Sequence, residues 1–275
     1  MLLDIVAKAI KRKLYRPLKQ FNISWATEKR LKISREKASI KKLGFINNTL
    51  LHYCDGPSLI TGLKEVFAEA PYRFHTKSEK PYIIDCGGYI GLSALYFAFE
   101  HPNADIVVFE PDSVNFQLTE LNVAPYKNRV TVENKAIWVH NETIMFNNSH
   151  NMGSSIVTGA TATADNSVTE IPSARLKDWL TRKVDFLKID IEGAEYEVLK
   201  DIKDCLHFVD NLFLEYDGSC AENNELTEML SLLTDAGYKW YIKEAAEAYV
   251  HPYTEVKPRN NFDLQLNIFA FKKQS

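Results

Sequence analysis

The segment that decides the fold reads Tyr82-Ile83-Ile84-Asp85-Cys86-Gly87-Gly88-Tyr89-Ile90-Gly91. Its apolar start, residues 82–84, predicts a buried β-strand, and the apolar stretch 92–100 predicts a helix directly after the glycines. Glycines between a strand and a helix allow a tight turn, and they let the backbone approach a ligand because no Cβ stands in the way. The segment therefore predicts a strand–turn–helix unit with a ligand bound over the turn.

Downstream of this turn, short apolar runs alternate with amphipathic stretches, which is typical of a parallel sheet covered by helices on both faces. Further strands are predicted at 106–109, 130–132, 184–189, 212–214, 238–242 and 266–271, and further helices at 113–123 and 222–236. The last two strands have no helix between them, which predicts an antiparallel edge. The polar tract 147–168 predicts hairpins or a long loop. The expected fold class is α/β: a Rossmann-like, doubly wound, seven-stranded sheet, mostly parallel with an antiparallel last strand, plus a helical N-terminal extension.

The composition is that of an ordinary globular protein, with 45% hydrophobic and 25% charged residues in a chain of 275. This length suits one large α/β domain with an appendage. The four cysteines are far apart and form no C-x-x-C pair, so we expect neither a zinc site nor a disulfide framework, and a reducing, cytoplasmic setting. We assign residues 1–79 to a basic, mainly helical N-terminal extension and residues 80–275 to one catalytic domain.

The charge is distributed unevenly along the chain. Residues 1–45 carry 13 Lys and Arg against three acids, a net +10, and the remainder carries 20 basic against 33 acidic residues, a net −13. An acidic body disfavours nucleic-acid binding. Apolar residues at helical spacing from Leu3 to Phe21 predict an amphipathic helix, whose apolar run is interrupted by Asp4 and Lys8, so neither an export signal nor a membrane span is expected. Two interpretations stay open: peripheral contact with the inner face of the membrane, or packing on the domain or on a second subunit.

The chemistry of the turn distinguishes between two cofactors. The G-x-G-x-x-G spacing of dinucleotide sites is absent, and a carboxylate at the strand end, Asp85, would repel a pyrophosphate. S-adenosylmethionine has no phosphate and carries an ammonium and a sulfonium, so an acid there is attractive. Glu110 follows Gly91 by 19 residues, where a carboxylate can accept both ribose hydroxyls, or can serve as an acid at a helix N-terminus. The turn therefore favours S-adenosylmethionine.

Residues 135–137, just past the third strand, are expected beside adenine, although apolar residues there fit the core equally well. The residues predicted to bind the cofactor are Asp85, Cys86, Gly87, Gly88, Tyr89, Gly91, Glu110, Pro111, Ala136, Ile137 and Asp190.

Three motifs taken together resemble the FkbM family of methyltransferases. They are the turn at 83–91, Phe109-Glu110-Pro111-Asp112, and Lys188-Ile189-Asp190-Ile191-Glu192-Gly193-Ala194-Glu195, the last of which is much more specific than a glycine turn. The chain departs from the family at 87–89, where Gly-Ala-Asn is frequent, and at 176–178, where Leu-Asp is frequent. The resemblance implies methyl transfer to oxygen of a sugar or polyketide, in polysaccharide or antibiotic assembly, and we favour a glycan hydroxyl.

Transfer to a hydroxyl needs a group that accepts its proton beside the methyl carbon. Asp190 and Glu215 end the fourth and fifth predicted strands, which are neighbours in the methyltransferase sheet order, so both are candidates. His150 and His251, in predicted loops, are the further catalytic candidates. Two carboxylates on adjacent strand ends resemble a magnesium site, but we predict no obligatory metal. Glu195 is expected to be structural, at a helix N-terminus.

Two other functions compete with this interpretation. One is a nicotinamide-dependent oxidoreductase on a similar sheet, which the acid at the turn disfavours. The other is a non-catalytic, membrane-recruited interaction protein with a degenerate pocket, which the intact motifs disfavour.

Overall fold

The computed structural model describes residues 17–34, 39–147, 155–156, 168–220, 223–246, 249–254 and 262–272. The chain divides into two compact units, Met1–Arg73 and Phe74–Ser275. The boundary predicted after residue 79 stays a prediction. No helix in the described ranges combines the length and the apolar character that crossing a membrane requires.

The first unit combines short helices with one antiparallel strand pair. Its elements are a 3-10 helix at Pro17–Phe21, α1 at Trp25–Ile33, β1 at Lys41–Gly44, a 3-10 turn at Ile46–Asn48, β2 at Leu50–Tyr53, α2 at Gly56–Leu63 and a π-helical segment at Lys64–Glu69. The side chains of Ser24 and Asp55 cap the two α-helices by accepting backbone N–H groups. Leu18 is buried, and the Phe21 ring packs on Phe45 and Phe67 at centroid distances of 5.9 and 5.4 Å.

These contacts involve only the end of the predicted amphipathic helix, since residues 1–16 lie outside the described ranges. The membrane and dimer interpretations of the basic arm stay predictions.

The second unit contains a seven-stranded sheet and a smaller four-stranded one. Its elements are β3 Tyr82–Cys86, α3 Leu92–Glu100, β4 Asp105–Phe109, α4 Ser113–Val123, β5 Val130–Glu133, β6 Ala136–Trp138, β7 Thr143–Asn147, β8 Ser155–Ile156, β9 Val168–Arg175, β10 Val184–Ile189, α5 Glu195–Asp201, β11 Val209–Gly218, α6 Asn223–Asp235, β12 Lys239–Ala246 and β13 Leu264–Phe271. 3-10 helices at Ala124–Tyr126, Leu176–Trp179 and Lys203–Phe208 follow α4, β9 and α5, respectively.

The large sheet has the strand order β12-β13-β11-β10-β3-β4-β5. Pairing is parallel from β5 to β11, and β13 runs antiparallel to both of its neighbours, β11 and β12. The predicted fold class is confirmed. The antiparallel strand is not at the edge, however, because β13 inserts between β11 and β12 and leaves β12 outermost.

The small sheet has the order β6-β9-β7-β8 and occupies the region of the polar tract. Strand β7 pairs antiparallel with β8 and β9, which agrees with the predicted hairpins, and the residues at 148–154 and 157–167 lie outside the described ranges. Strand β6 was not predicted. It holds Ala136 and Ile137, both buried, and Ile137 belongs to the same hydrophobic core as β10 and β11.

Side chains along the three central strands, β3, β10 and β11, alternate between a face that packs in the core and a face that carries the candidate site. Side chains two residues apart on a strand lie on the same face of the sheet, and residues paired in register on neighbouring strands also lie on the same face. On one face these strands contribute a row of residues to the hydrophobic core: Ile84, Cys86, Leu187, Ile189, Leu212, Leu214 and Tyr216. Because Lys188 is paired with Asp85 and with Phe213, the opposite face brings charged residues of the three strands together near their carboxyl ends.

Candidate active site

The glycine turn closes against the end of β4 and against Asp190. The N–H groups of Gly87 and Gly88 both donate to the carbonyl oxygen of Phe109, each at 3.0 Å. Gly87 has a φ of +92°, and a Cβ built on it would lie 1.8 Å from the carbonyl oxygen of Asp190. A Cβ on Gly88 would lie 2.4 Å from Val108. The turn therefore forms a backbone cradle without side chains at 87 and 88.

Tyr89 adopts a left-handed conformation, with a φ of +48°, which is uncommon for a residue other than glycine. Its N–H donates to Glu110 Oε2 at 2.6 Å, and its carbonyl oxygen accepts from Thr119 Oγ1 at 2.6 Å. These two bonds hold the unfavourable backbone in place, as is frequent where a turn meets a ligand.

Asp85 lies beneath the turn with no exposed surface. It accepts a hydrogen bond from Ser93 and lies 3.4 Å from Lys188 Nζ. Burial raises the pKa of Asp85, whereas Lys188 and Ser93 lower it. The attraction of Asp85 for the cations of the cofactor stays a prediction. Cys86 is also buried, in the core.

Glu110 follows β4 directly and is buried. Oε2 accepts the Tyr89 N–H and Oε1 accepts the Asp112 N–H at 2.9 Å. Each oxygen of a carboxylate can accept two hydrogen bonds, so both retain capacity for a hydroxyl. Asp112, and not Glu110, caps α4 through the N–H groups of Val114 and Asn115. Burial raises the pKa of Glu110 to about 8, although the two N–H donors lower it.

Three carboxylates converge beside the turn. One oxygen from each of Asp190, Glu192 and Asp217 lies within 4.8 Å of the others. The Asp190 N–H donates to the carbonyl oxygen of Cys86 at 3.1 Å, which ties this cluster to the start of the turn. Three oxygens at this spacing are close enough to share a divalent cation. The expectation of no obligatory metal stays a prediction.

The loop that carries Glu192 is held by Glu195. Its two oxygens accept the N–H groups of Ile191 and Gly193 at 2.9–3.1 Å, and Glu192 has a φ of +61°. Glu195 is therefore structural as an acceptor for the loop before α5, whereas the expected action of its negative charge on the helix N-terminus stays a prediction. Burial, with a contribution from Asp217, raises the pKa of Glu195 to about 8.

Burial and the charges of Asp190 and Asp217 raise the pKa of Glu192 to about 10. Burial also raises the pKa of Asp217 to about 6, with Gln265 opposing the rise through a 2.7 Å hydrogen bond and Asp190 adding to it. At neutral pH the cluster therefore combines a protonated carboxyl, which can donate a hydrogen bond, with a carboxylate that can accept one.

The prediction that Glu215 ends its strand is wrong. Strand β11 continues to Gly218, because β13 supplies paired residues for Glu215, Asp217 and Gly218. Asp217 is therefore the acid nearest the carboxyl end. Glu215 lies on the same face of β11 as Asp217, and its charge contributes to the raised pKa of Glu192.

His150 and His251 are the two histidine candidates. His150 lies outside the described residues. His251 is exposed to solvent in the turn at 249–254, where its carbonyl oxygen accepts the Thr254 N–H. Their catalytic roles stay predictions, as do those of Asp190 and Glu215.

Sequence reasoning missed Lys188, Glu192 and Asp217 as site residues. The signal for Lys188 was present, since a lysine inside an otherwise apolar strand has to find partners when it is buried. Glu192 and Asp217 carried no comparable signal in the sequence, because their approach to Asp190 depends on the loop conformation and on the length of β11.

The raised pKa values predict how stability depends on pH. A folded-state pKa of about 8 for Glu110 and Glu195, above the usual 4.5, means that the native protein retains protons that the unfolded chain releases. This stabilisation is complete below about pH 4.5 and is lost as the pH rises through 8. We expect the free energy of unfolding, measured by urea denaturation, to fall between pH 5 and 8 by up to about 1.4 kcal/mol per pH unit for each group.

The variant Glu195→Gln should show a shallower fall, because an amide does not titrate. An equal slope in the variant and the natural protein would contradict the assignment.

The site fits S-adenosylmethionine in two respects. Because they lack a Cβ, Gly87 and Gly88 pack tightly against Asp190 and Val108 and leave the turn as bare backbone, and Glu110 has unused acceptor capacity at the end of the next strand. This sheet order, with a glycine turn after its central strand and an acid after the adjacent one, defines a Rossmann-like methyltransferase.

Residues 85–240 match the model of the methyltransferase FkbM domain, and the chain belongs to this family. It is a methyltransferase that uses S-adenosylmethionine, as the three motifs predicted. Membership in this family decides against the nicotinamide-dependent oxidoreductase and against a non-catalytic protein.

Relatives with known names agree with this class. Methyltransferase 1 of Beauveria bassiana (strain ARSEF 2860) is 24% identical over 199 residues, covering 64% of this chain and 79% of the relative. Methyltransferase sdnD of Sordaria araneosa is 27% identical over 175 residues, covering 50% and 67%. Among solved structures, TYW2 of M. jannaschii in complex with AdoMet covers 87% of this chain and 88% of its own, with 10% identity and a TM-score of 0.43. The family assignment depends on residues 85–240 and not on this structural likeness.

Proposed function

We propose that the protein transfers the methyl group of S-adenosylmethionine to a hydroxyl of a sugar or a related polyol. The observation that carries this proposal is the convergence of Asp190, Glu192 and Asp217 next to the cofactor turn. A hydroxyl is a poor nucleophile until its proton is accepted, so carboxylates beside the methyl donor suit transfer to oxygen. A set of hydrogen-bond donors and acceptors also suits a polyol, which presents both.

The described residues that directly precede β13 lie beside this site and include an aromatic side chain. Asp263 accepts hydrogen bonds from Tyr249 and Ser219 at 2.7 and 2.9 Å, and its N–H donates to the carbonyl oxygen of Gly218 at 3.1 Å. Next to it, Phe262 lies 3.9 Å from the position of a Cβ on Gly193. An aromatic surface beside a few polar groups is a usual composition of a small-molecule site.

The chemistry follows from these positions. When bound, S-adenosylmethionine supplies an electrophilic methyl group on a sulfonium. Asp190 or Asp217 accepts the proton of the acceptor hydroxyl while the new O–CH₃ bond forms and the S–CH₃ bond breaks, which leaves S-adenosylhomocysteine. The accepted proton then passes to solvent. Asp190 is the first candidate, because its backbone touches the turn on one side and its carboxylate lies in the cluster on the other.

The test begins with an acceptor screen. Protein incubated with methyl-labelled S-adenosylmethionine is offered free monosaccharides, oligosaccharides, hydroxylated polyketides and, as a nitrogen control, amino sugars blocked at every hydroxyl. We expect label on a hydroxyl of the sugar series. Label confined to the blocked amino sugars would contradict oxygen transfer, and label confined to polyketides would replace the proposed acceptor class.

The variant Asp190→Asn is expected to lower kcat about 100-fold with the acceptor found in the screen, because removal of a general base costs roughly 10² to 10⁴ in rate. The Kd for S-adenosylmethionine, measured by calorimetry, should change less than about threefold. Asp204→Asn is the matched control, since Asp204 is a largely exposed surface acid paired only loosely with Lys177 at 3.6 Å.

A variant that loses cofactor binding and rate to the same extent would show that Asp190 serves the cofactor and not the acceptor.

A further inference from the structure

Lys188 is a buried lysine that no step of the proposed chemistry uses. It lies in β10, the strand beside the cofactor turn, and only 2% of it is exposed. Burying an ammonium group is costly unless it is paired and hydrogen-bonded, so its partners indicate what it does.

The oxygen atoms within 3.4 Å of Lys188 Nζ include members of two different parts of the site. On the cofactor side are the carbonyl oxygens of Gly87 and Cys86, at 2.8 and 3.4 Å, and Asp85 Oδ1 at 3.4 Å. On the acceptor side is Asp190 Oδ2, at 3.0 Å. The ammonium therefore joins the backbone of the glycine turn to the acidic cluster.

The backbone conformation of the turn indicates what the hydrogen bond from Lys188 does. The carbonyl oxygen of Gly87 faces β10, since it accepts from Lys188 Nζ at 2.8 Å. Gly87 itself has a φ of +92°, and the carbonyl oxygen of Asp190 occupies the place of a Cβ, so Gly87 is closely packed on that side. A donor that bonds the Gly87 carbonyl oxygen keeps the turn in this conformation. The same donor pulls the Asp190 carboxylate toward the turn.

We infer that Lys188 is a positioning residue, which holds the cofactor turn in its binding conformation and sets the Asp190 carboxylate beside it. The part that concerns Asp190 rests on the proposed function, whereas the part that concerns the turn does not. The competing explanation is that Lys188 serves only as the counter-ion of the buried Asp85.

A double-mutant cycle on the full-length protein separates the two explanations. The four proteins are the natural chain, Lys188→Met, Asp85→Asn and the double variant, and the measurements are the Kd for S-adenosylmethionine by calorimetry and the Tm. The double variant removes one positive and one negative buried group together, so it avoids the unpaired charge that can prevent Lys188→Met alone from folding.

The decisive quantity is the effect of Lys188→Met when Asp85 is already Asn. A positioning role predicts that Kd in the double variant is at least about tenfold higher than in Asp85→Asn, at a similar Tm, because the Gly87 carbonyl oxygen has lost its donor. Equal Kd values, or a double variant that does not fold while Asp85→Asn folds, would overturn the inference.

Lys183→Met is the matched control. Lys183 also faces two acids, Asp210 at 2.9 Å and Asp185 at 3.7 Å, but it lies before the opposite end of the same strand and is largely exposed. The Kd of Lys183→Met for S-adenosylmethionine should stay within about twofold of the value for the natural protein. Because no acceptor enters these measurements, failure of this inference and failure of the acceptor proposal are distinguishable.

Discussion

Gly87→Ala is expected to abolish measurable binding of S-adenosylmethionine, with Kd raised at least about 10³-fold. The φ of +92° at this position already disfavours any side chain, at a cost of about 1–2 kcal/mol. The larger effect is steric, because the new Cβ would lie 1.8 Å from the carbonyl oxygen and 3.0 Å from the carbonyl carbon of Asp190. Those atoms are backbone at the end of a central strand, so they cannot rotate away, and the cradle has to open. Calorimetry gives Kd, and thermal unfolding reports how far the fold is affected.

The variant Gly237→Ala separates the effect of the positive φ from the steric effect of the new Cβ. Gly237 has a similar φ of +81°, but a Cβ built on it has no neighbour within 4 Å. We expect this control to lose about 1 kcal/mol of stability and to bind the cofactor normally. If Gly87→Ala bound S-adenosylmethionine within tenfold of the natural Kd, the turn would not be the rigid cradle described above.

Glu110→Ala is expected to raise the Kd for S-adenosylmethionine about 10³-fold. The change removes the predicted acceptor of two ribose hydroxyls, and loss of a buried hydrogen-bond partner costs roughly 1–3 kcal/mol for each group left unpaired. It also leaves the N–H groups of Tyr89 and Asp112 without their acceptor and releases the left-handed backbone at Tyr89. Together these losses amount to about 4 kcal/mol in binding, which corresponds to the stated factor.

Glu133→Ala provides the matched control at the end of the adjacent strand. The Glu133 side chain is partly exposed, and its pairing with Lys135 at 2.8 Å is of the surface kind that contributes at most about 1 kcal/mol. Its backbone oxygen, which accepts the Glu110 N–H, is kept in the variant. A Kd that changes equally in both variants would show that Glu110 supports the fold near the site and does not bind the ribose.

Most of the large sheet was predictable from sequence because its strands are short apolar runs between amphipathic helices. The elements that escaped prediction depend on partners distant in the chain. Strand β6 has only three residues and exists through its pairing with β9. The last four residues of β11, at 215–218, form no apolar run and become strand through pairing with β13. The insertion of β13 between β11 and β12 is likewise a matter of pairing, which no local pattern encodes.

The candidate site likewise has one half that local sequence predicts and one half that depends on residues distant in the chain. The cofactor half is local, because the glycines, Asp85 and the acid after the next strand lie in two short motifs whose geometry follows from a strand–turn–helix unit. The acceptor half is assembled from a loop and from two strands. Asp190 could be singled out at a strand end, but its neighbours could not, since Glu192 is brought in by the hydrogen bonds of Glu195 and Asp217 by the extension of β11.

By itself, the sequence determined the class of fold, the cofactor and the family, because each depends on residues within a few positions of one another. Only the tertiary structure decided which charged groups meet. Strand register placed Lys188 between Asp85 and Asp190, and β13 determined where β11 ends, so Asp217 and not Glu215 became the acid at the strand end. The physical reason is that side-chain alternation assigns a residue to a face, whereas the pairing of distant strands determines what else lies on that face.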